Sequence, residues 1–115
     1  MDRNSKLLGH VQRNLALVKV FSEKQFDLNE PRSVELHFWS WNHPNSVRLA
    51  HELYKKGFML LLLKPAFLEQ DPDRWNIEAG TRASIYKVVS EEFTASLVDL
   101  AQSLQSDYDG WGTSV

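Results

Sequence analysis

The sequence predicts an α+β fold of the ferredoxin-like type, a split βαβ sandwich in which two helices cover one face of a four-stranded antiparallel sheet. Three observations predict it: segments with alternating polar and apolar residues, segments with helical periodicity between them, and an acidic, aromatic ending after the last helix. The predicted order after a leading helix is β-α-β-β-α-β. The 115 residues, 43% of them hydrophobic, suit a single domain over 1–115, with the leading helix in 1–26 and the ferredoxin-like core in 34–115.

The leading helix is predicted over about residues 5–24, where either Asn4 or Ser5 can cap its start. Apolar residues recur there at steps of three and four, which is the spacing of one helix face: Leu8, Val11, Leu15 and Val18. Further apolar residues beside this stripe predict a helix that docks on the domain. A turn follows over residues 27–33, which contain Asn29 and Pro31.

The first strand and the helix after it have clear signals. Residues 34–41 alternate, with Val34, Leu36 and Phe38 on the face that we expect to be buried. Either Asn42 or His43 can precede Pro44 at the first position of the next helix, or Asn45 can cap a slightly later start. Gly57 supplies the position just after the end of this helix.

The second half of the chain completes the predicted sheet. Residues 58–63 form a continuous apolar run, which predicts a central strand that Pro65 ends or bends. Residues 75–85 alternate and predict the third strand. Ser90 can cap a final helix with Glu91 and Glu92 in its first turn. Residues 107–115 are then the fourth strand.

Charge is unevenly distributed along the chain, although the net charge is only −2. The first twenty residues hold four basic residues against Asp2 alone: Arg3, Lys6, Arg13 and Lys19. From Val88 onward there is no lysine or arginine, and five residues are acidic: Glu91, Glu92, Asp99, Asp107 and Asp109. Such a segment repels nucleic acid and can attract a basic protein segment. The alternative is an ordinary solvated helix face.

The sequence predicts no catalytic, metal or cofactor site. The four histidines are His10, His37, His43 and His51, and none of them forms the i,i+4 pair that places two ligands on one helix face. The chain has no cysteine, the usual ligand of structural zinc. No nucleophile elbow and no glycine-rich phosphate loop occurs.

Direct RNA binding is the least favoured of the functions considered. The ferredoxin-like fold also occurs in RNA-binding domains that stack bases on sheet aromatics, and four aromatic residues can line such a face here: Trp39, Trp41, Tyr86 and Trp111. The third strand, however, has Arg82 without the aromatic cluster that those domains carry.

Two blocks of sequence are distinctive: Tyr108-Asp109-Gly110-Trp111 directly after a helix, and the segment from Phe26 to Phe38. Both blocks resemble the RraB family, the bacterial regulators of ribonuclease E activity. Weaker similarity covers residues 50–58, so the resemblance extends from about Leu7 to Thr113. It implies a ferredoxin-like sandwich, a cytoplasmic location, no enzymatic activity, and binding to the endoribonuclease that organises the RNA degradosome, with reduced RNA cleavage.

The chain departs from the best-known members of that family, since it has no long acidic extension after the tryptophan block and is only mildly negative. Weaker binding, a different protein partner, or a homodimer formed through the sheet and tryptophans are the alternatives. The predicted partner-binding residues are Asp107, Tyr108, Asp109, Trp111, Glu91, Glu92 and Asp99. Tyr108 and Trp111 have a second interpretation, in which they anchor the last strand to the domain.

The composition also limits where the protein acts. No apolar run approaches the roughly 18 residues that span a bilayer. The absence of cysteine fits a reducing cytoplasm.

Overall fold

A computed structural model describes residues 2–113 and confirms the predicted α+β architecture. Four strands form one antiparallel sheet in the order β2-β3-β1-β4. No helix within residues 2–113 has the length and hydropathy to cross a membrane. The elements are α1 (Arg3–Glu23), β1 (Arg32–Ser40), α2 (His43–Lys55), β2 (Met59–Pro65), β3 (Trp75–Ala83), α3 (Ile85–Val89), α4 (Glu91–Ser103) and β4 (Ser106–Thr113).

The main core lies between the sheet and the helices α2 and α4. Alternation along β1 buries the three residues that the sequence predicted, Val34, Leu36 and Phe38. They pack with residues of β3, α2 and α4 in one cluster, which includes Ile77, Ala79, Leu49, Leu53, Leu97 and Ala101. Among residues 2–113 no helix packs over the opposite face of the sheet, which carries polar and aromatic side chains such as Glu35, His37 and Trp39.

The sequence named Asn42 among the possible starts of α2, Gly57 as the residue after its end, and Ser90 as the start of α4, and the structure has all three in these positions. The side chain of Asn42 accepts a hydrogen bond from the Asn45 amide and starts α2 with Pro44 in its first turn. Gly57 follows α2 with a φ of 94°, and the Phe58 amide donates to the Leu53 carbonyl as in a Schellman motif. Ser90 caps α4 in the same way as Asn42 caps α2.

The prediction that the apolar run 58–63 forms a central strand is wrong, because β2 lies at the edge of the sheet. Met59, Leu60 and Leu61 are all exposed. A bulge at Leu61 interrupts the pairing with β3, and the Leu61 side chain lies over Gly80. A continuous apolar run is expected for a strand buried on both faces, but sequence order alone does not say which strand occupies an edge.

The predicted buried face of α1 is also wrong in part. Leu8 and Leu15 are exposed, whereas the buried residues are Leu7, His10, Asn14 and Phe21. The helix presents a histidine and an asparagine to β4 and α4, so an apolar stripe is not what sets its orientation. Asp2, rather than Asn4 or Ser5, caps the helix by accepting from the Ser5 amide.

The third strand ends two residues earlier than predicted, because a short helix intervenes. Ser84 caps α3, and Ile85 therefore lies in a helix instead of continuing β3. Ile85 is fully buried against Phe21 and Leu28 in a second, smaller cluster beneath α1.

The last strand is present as predicted over the described residues, while Ser114 and Val115 lie outside them. It contains a bulge: Tyr108 pairs with Phe38 and Gly110 pairs with His37, so Asp109 is an extra residue. In a regular strand, residues three apart face opposite sides of the sheet. The bulge instead directs both Tyr108 and Trp111 toward the helices.

We expect Gly110→Ala to destabilise the protein by about 1–3 kcal/mol, because Gly110 has a φ of 126°. An added Cβ would also lie 2.7 Å from Arg13 Nη1 and displace that side chain. Gly9→Ala is the matched control. Gly9 is exposed inside α1 with open space around it, so alanine there should stabilise by about 0.5–1 kcal/mol. Urea denaturation measures both, and a Gly110→Ala protein as stable as the unmodified one would contradict the role of the bulge.

Candidate protein-binding surface

Trp111 joins the last strand to the first helix. Its Nε1 donates a 2.9 Å hydrogen bond to Asn14 Oδ1, and its ring stacks on Phe21 with centroids 5.9 Å apart. The Asn14 amide nitrogen in turn lies 3.3 Å from Thr94 Oγ1 on α4. The indole therefore connects β4, α1 and α4, and its polar atom already has a partner within the chain.

Tyr108 is part of the main core and is only 3% exposed. Its ring lies 4.8 Å from the ring of His10 and 5.1 Å from that of Phe38. The hydroxyl is buried without a hydrogen-bond partner among the described residues, and this burial raises the pKa of Tyr108. A partner cannot reach this side chain without moving α1.

His10 is held against β4 in a similar way. Its Nε2 lies 2.9 Å from the Tyr108 carbonyl oxygen and donates to it, since a carbonyl can only accept. Burial lowers the pKa of His10 and outweighs the opposing hydrogen bond to Tyr108. Arg13 also lowers this pKa, whereas Asp107 and Asp109 raise it. His10 thus has a structural position that favours the neutral imidazole.

Basic residues of α1 pair with the acidic C-terminal quarter. Arg3 makes two contacts with the Asp99 carboxylate, at 2.9 and 3.3 Å, and these contacts raise the pKa of Arg3. Lys6 Nζ lies 2.7 Å from Asp107 Oδ1, with both side chains about four-fifths buried. The charge asymmetry of the sequence is therefore partly neutralised inside the molecule.

Three of the predicted partner-binding carboxylates remain available. Glu91 and Glu92 are exposed in the first turn of α4, and Asp109 is exposed at the bulge of β4. None of the three forms an ion pair with a described residue. The Asp109 backbone carbonyl, but not its carboxylate, accepts a 2.6 Å hydrogen bond from Arg13. We call the set Glu91, Glu92, Asp99, Asp107 and Asp109 the acidic surface.

A cleft of about 410 Å³ adjoins this surface between the start of α1 and the uncovered face of the sheet. Trp39 and Trp41 form one wall and pack edge to face, with centroids 4.4 Å apart. Asp107, Asp109 and Arg13 form the other wall. From the sequence, the two tryptophans were candidates for a platform for RNA bases or for part of a homodimer interface, and no sequence pattern placed them beside the acidic residues of β4.

The pH dependence of stability tests the placement of His10. Because its folded-state pKa lies below the reference value of 6.5, the unfolded chain binds this proton more readily. The stability that neutral His10 contributes is therefore present above about pH 6.5 and is lost as the pH falls.

We expect His10→Gln, whose amide can still donate to the Tyr108 carbonyl, to flatten the fall in stability between about pH 7 and 5. Urea denaturation at several pH values measures this slope. If stability falls with pH equally steeply in the variant and in the unmodified protein, the burial of a neutral imidazole is contradicted.

Comparison with known proteins identifies the family. The family model described as regulator of ribonuclease activity B matches residues 12–113, which include β1 to β4 and most of α1. No match is found among curated proteins. The chain therefore belongs to the RraB family and is a non-enzymatic regulator of ribonuclease E activity.

Proposed function

We propose that this protein binds a basic segment of a ribonuclease E type endoribonuclease through its acidic surface and thereby lowers RNA cleavage. Family membership supports the nuclease as the protein partner. The observation that carries the choice of surface is the set of exposed carboxylates Glu91, Glu92 and Asp109, none of which forms an ion pair with another of the described residues. We place this activity in the cytoplasm, for which the absence of cysteine is the supporting observation.

The mode of action that we propose is masking of a partner surface. A rim of exposed charges accelerates association and selects a partner of opposite sign, more than it adds affinity. Burial and internal hydrogen bonding of Tyr108 and Trp111 favour a structural role for both rings in this mode. Partner binding through Glu91, Glu92 and Asp109 then requires no rearrangement of α1.

The first test removes the three exposed carboxylates together. We expect the variant Glu91→Gln, Glu92→Gln, Asp109→Asn to bind the basic scaffold region of the cognate nuclease about tenfold more weakly at low salt, since each exposed ion pair is worth about 0.2–1 kcal/mol. Isothermal titration calorimetry with the purified nuclease segment measures the affinity, and a cleavage assay on a model RNA measures inhibition.

The matched control removes three carboxylates elsewhere, in the loop between β2 and β3: Glu69→Gln, Asp71→Asn and Asp73→Asn. It changes the net charge by the same amount and should leave binding nearly unchanged. Equal weakening in the two variants would contradict the choice of surface. Absence of binding by the unmodified protein at low salt would contradict the proposed function itself.

The second test removes a basic side chain of α1 that forms an ion pair with a carboxylate of the acidic surface. We expect Arg3→Gln to bind the basic segment more tightly, because it frees Asp99 while removing only an exposed ion pair of little worth to stability. Lys19→Gln is the control, since Lys19 is exposed on the same helix without a charged partner among residues 2–113. If both variants bind equally tightly, net charge alone explains the gain and Asp99 has no particular role.

A further inference from the structure

Three side chains with metal-binding groups meet on the uncovered face of the sheet, and two of them, His37 and Glu78, line a cavity together with Asp109 of the acidic surface. Glu35 and His37 lie two residues apart on β1 and therefore face the same side. Glu78 is the direct partner of His37 across the antiparallel pair with β3. One donor atom from each residue can be chosen so that all three lie within 4.8 Å of one another.

The imidazole lies between the two carboxylates. His37 Nδ1 is 3.3 Å from Glu78 Oε1, and Nε2 is 3.7 Å from Glu35 Oε2. Donor atoms bound to one Zn²⁺ at its usual bond lengths are about 3.4 Å apart in a tetrahedral site. The Nδ1–Oε1 pair already has this spacing, and Glu35, whose side chain is 57% exposed, is free to rotate its carboxylate toward the same point.

The β4 side of the cluster leaves space for an ion and its water ligands. Glu35 has Gly112 as its neighbour on β4, whereas the Leu61 side chain fills the space over its β3 neighbour, Gly80. A Cβ built on Gly112 would lie 3.8 Å from His37 Nε2, so a larger residue there would extend over the imidazole. The side chains of His37 and Glu78 are each 34% exposed, which is enough for solvent to complete a coordination shell.

The three side chains carry two carboxylates and one imidazole, while Arg82 lines the same cleft as Glu35 and Arg74 the same cavity as His37 and Glu78. Among residues 2–113 neither Glu35 nor Glu78 forms an ion pair with a lysine or arginine, and His37 is the one charged-group contact of each. One imidazole and two carboxylates form a mixed nitrogen and oxygen donor set. Imidazole suits zinc and its neighbours, whereas Mg²⁺ and Ca²⁺ prefer oxygen ligands alone.

We propose that Glu35, His37 and Glu78 bind one divalent transition-metal ion, for which Zn²⁺ is the best fit, with water at the remaining position. The central strands β1 and β3 fix the Cα positions of all three ligands. The chain has no cysteine and no paired-histidine motif, and one of the three ligands comes from a neighbouring strand. Sequence patterns therefore do not indicate this site.

The test uses the full chain after removal of metals with a chelator. We expect calorimetric titration with Zn²⁺ to show one saturable site, and titration with Mg²⁺ to show none at the same concentrations. His37→Ala and Glu78→Gln should each weaken Zn²⁺ binding at least about tenfold, since each removes a direct ligand. Glu35→Gln provides a third, conservative variant.

His51→Ala is the matched control, because His51 is exposed on α2 and belongs to no metal-binding cluster within residues 2–113. This variant should bind Zn²⁺ like the unmodified protein. Far-UV circular dichroism without metal establishes that each variant is folded. No saturable Zn²⁺ binding, equal Mg²⁺ binding, full binding by His37→Ala, or an equal loss in His51→Ala would each overturn the proposal.

Discussion

The hydrogen bond from the Trp111 indole to Asn14 joins the last strand to the first helix, and Asn14 in turn contacts Thr94 on α4, so one side chain links three elements. A neutral hydrogen bond of this kind contributes only about 1 kcal/mol net, but losing one partner leaves a partly buried polar group unsatisfied. The bond requires the bulge at Asp109, since only there does the strand shift its register and turn the indole toward α1. Gly110 permits the backbone conformation that this shift needs.

Docking of α1 then determines the charge of the surface. Arg3 and Lys6 reach Asp99 and Asp107 because the helix lies along α4 and β4. A partly buried pair such as Lys6–Asp107 is screened less by salt than an exposed one, so it fixes which carboxylates stay paired. Fewer unpaired carboxylates remain for a partner than the sequence indicates, and they lie at the start of α4 and at the bulge of β4. A mildly acidic surface of this kind suits reversible association.

Local sequence patterns predicted much of the fold, but they did not predict contacts between residues that are far apart in the chain. Helix ends could be predicted at Asn42, Gly57 and Ser90, because each residue's own hydrogen bond or dihedral angle suits a helix terminus. Alternation in β1 identifies its buried face. The edge position of β2 depends on strand order, which no local pattern encodes. The buried face of α1 includes His10, whose partner is 98 residues away along the chain, and Asn14, whose partner on α4 is 80 residues away. For the same reason the contact between His37 and Glu78 was not predicted, although the acidic residues of the surface were.

The central claim is that Trp111 anchors the strand while neighbouring carboxylates bind the partner, and an NMR titration tests it most directly. The ¹⁵N-labelled chain is titrated with the basic segment of the cognate nuclease, and the indole N–H resonance of Trp111 is followed with the backbone amides. We expect the amides of Glu91, Glu92 and Asp109 to shift while the indole resonance stays in place and remains protected from exchange. A large shift or loss of protection at the indole, with the amides of those residues unchanged, would contradict the claim.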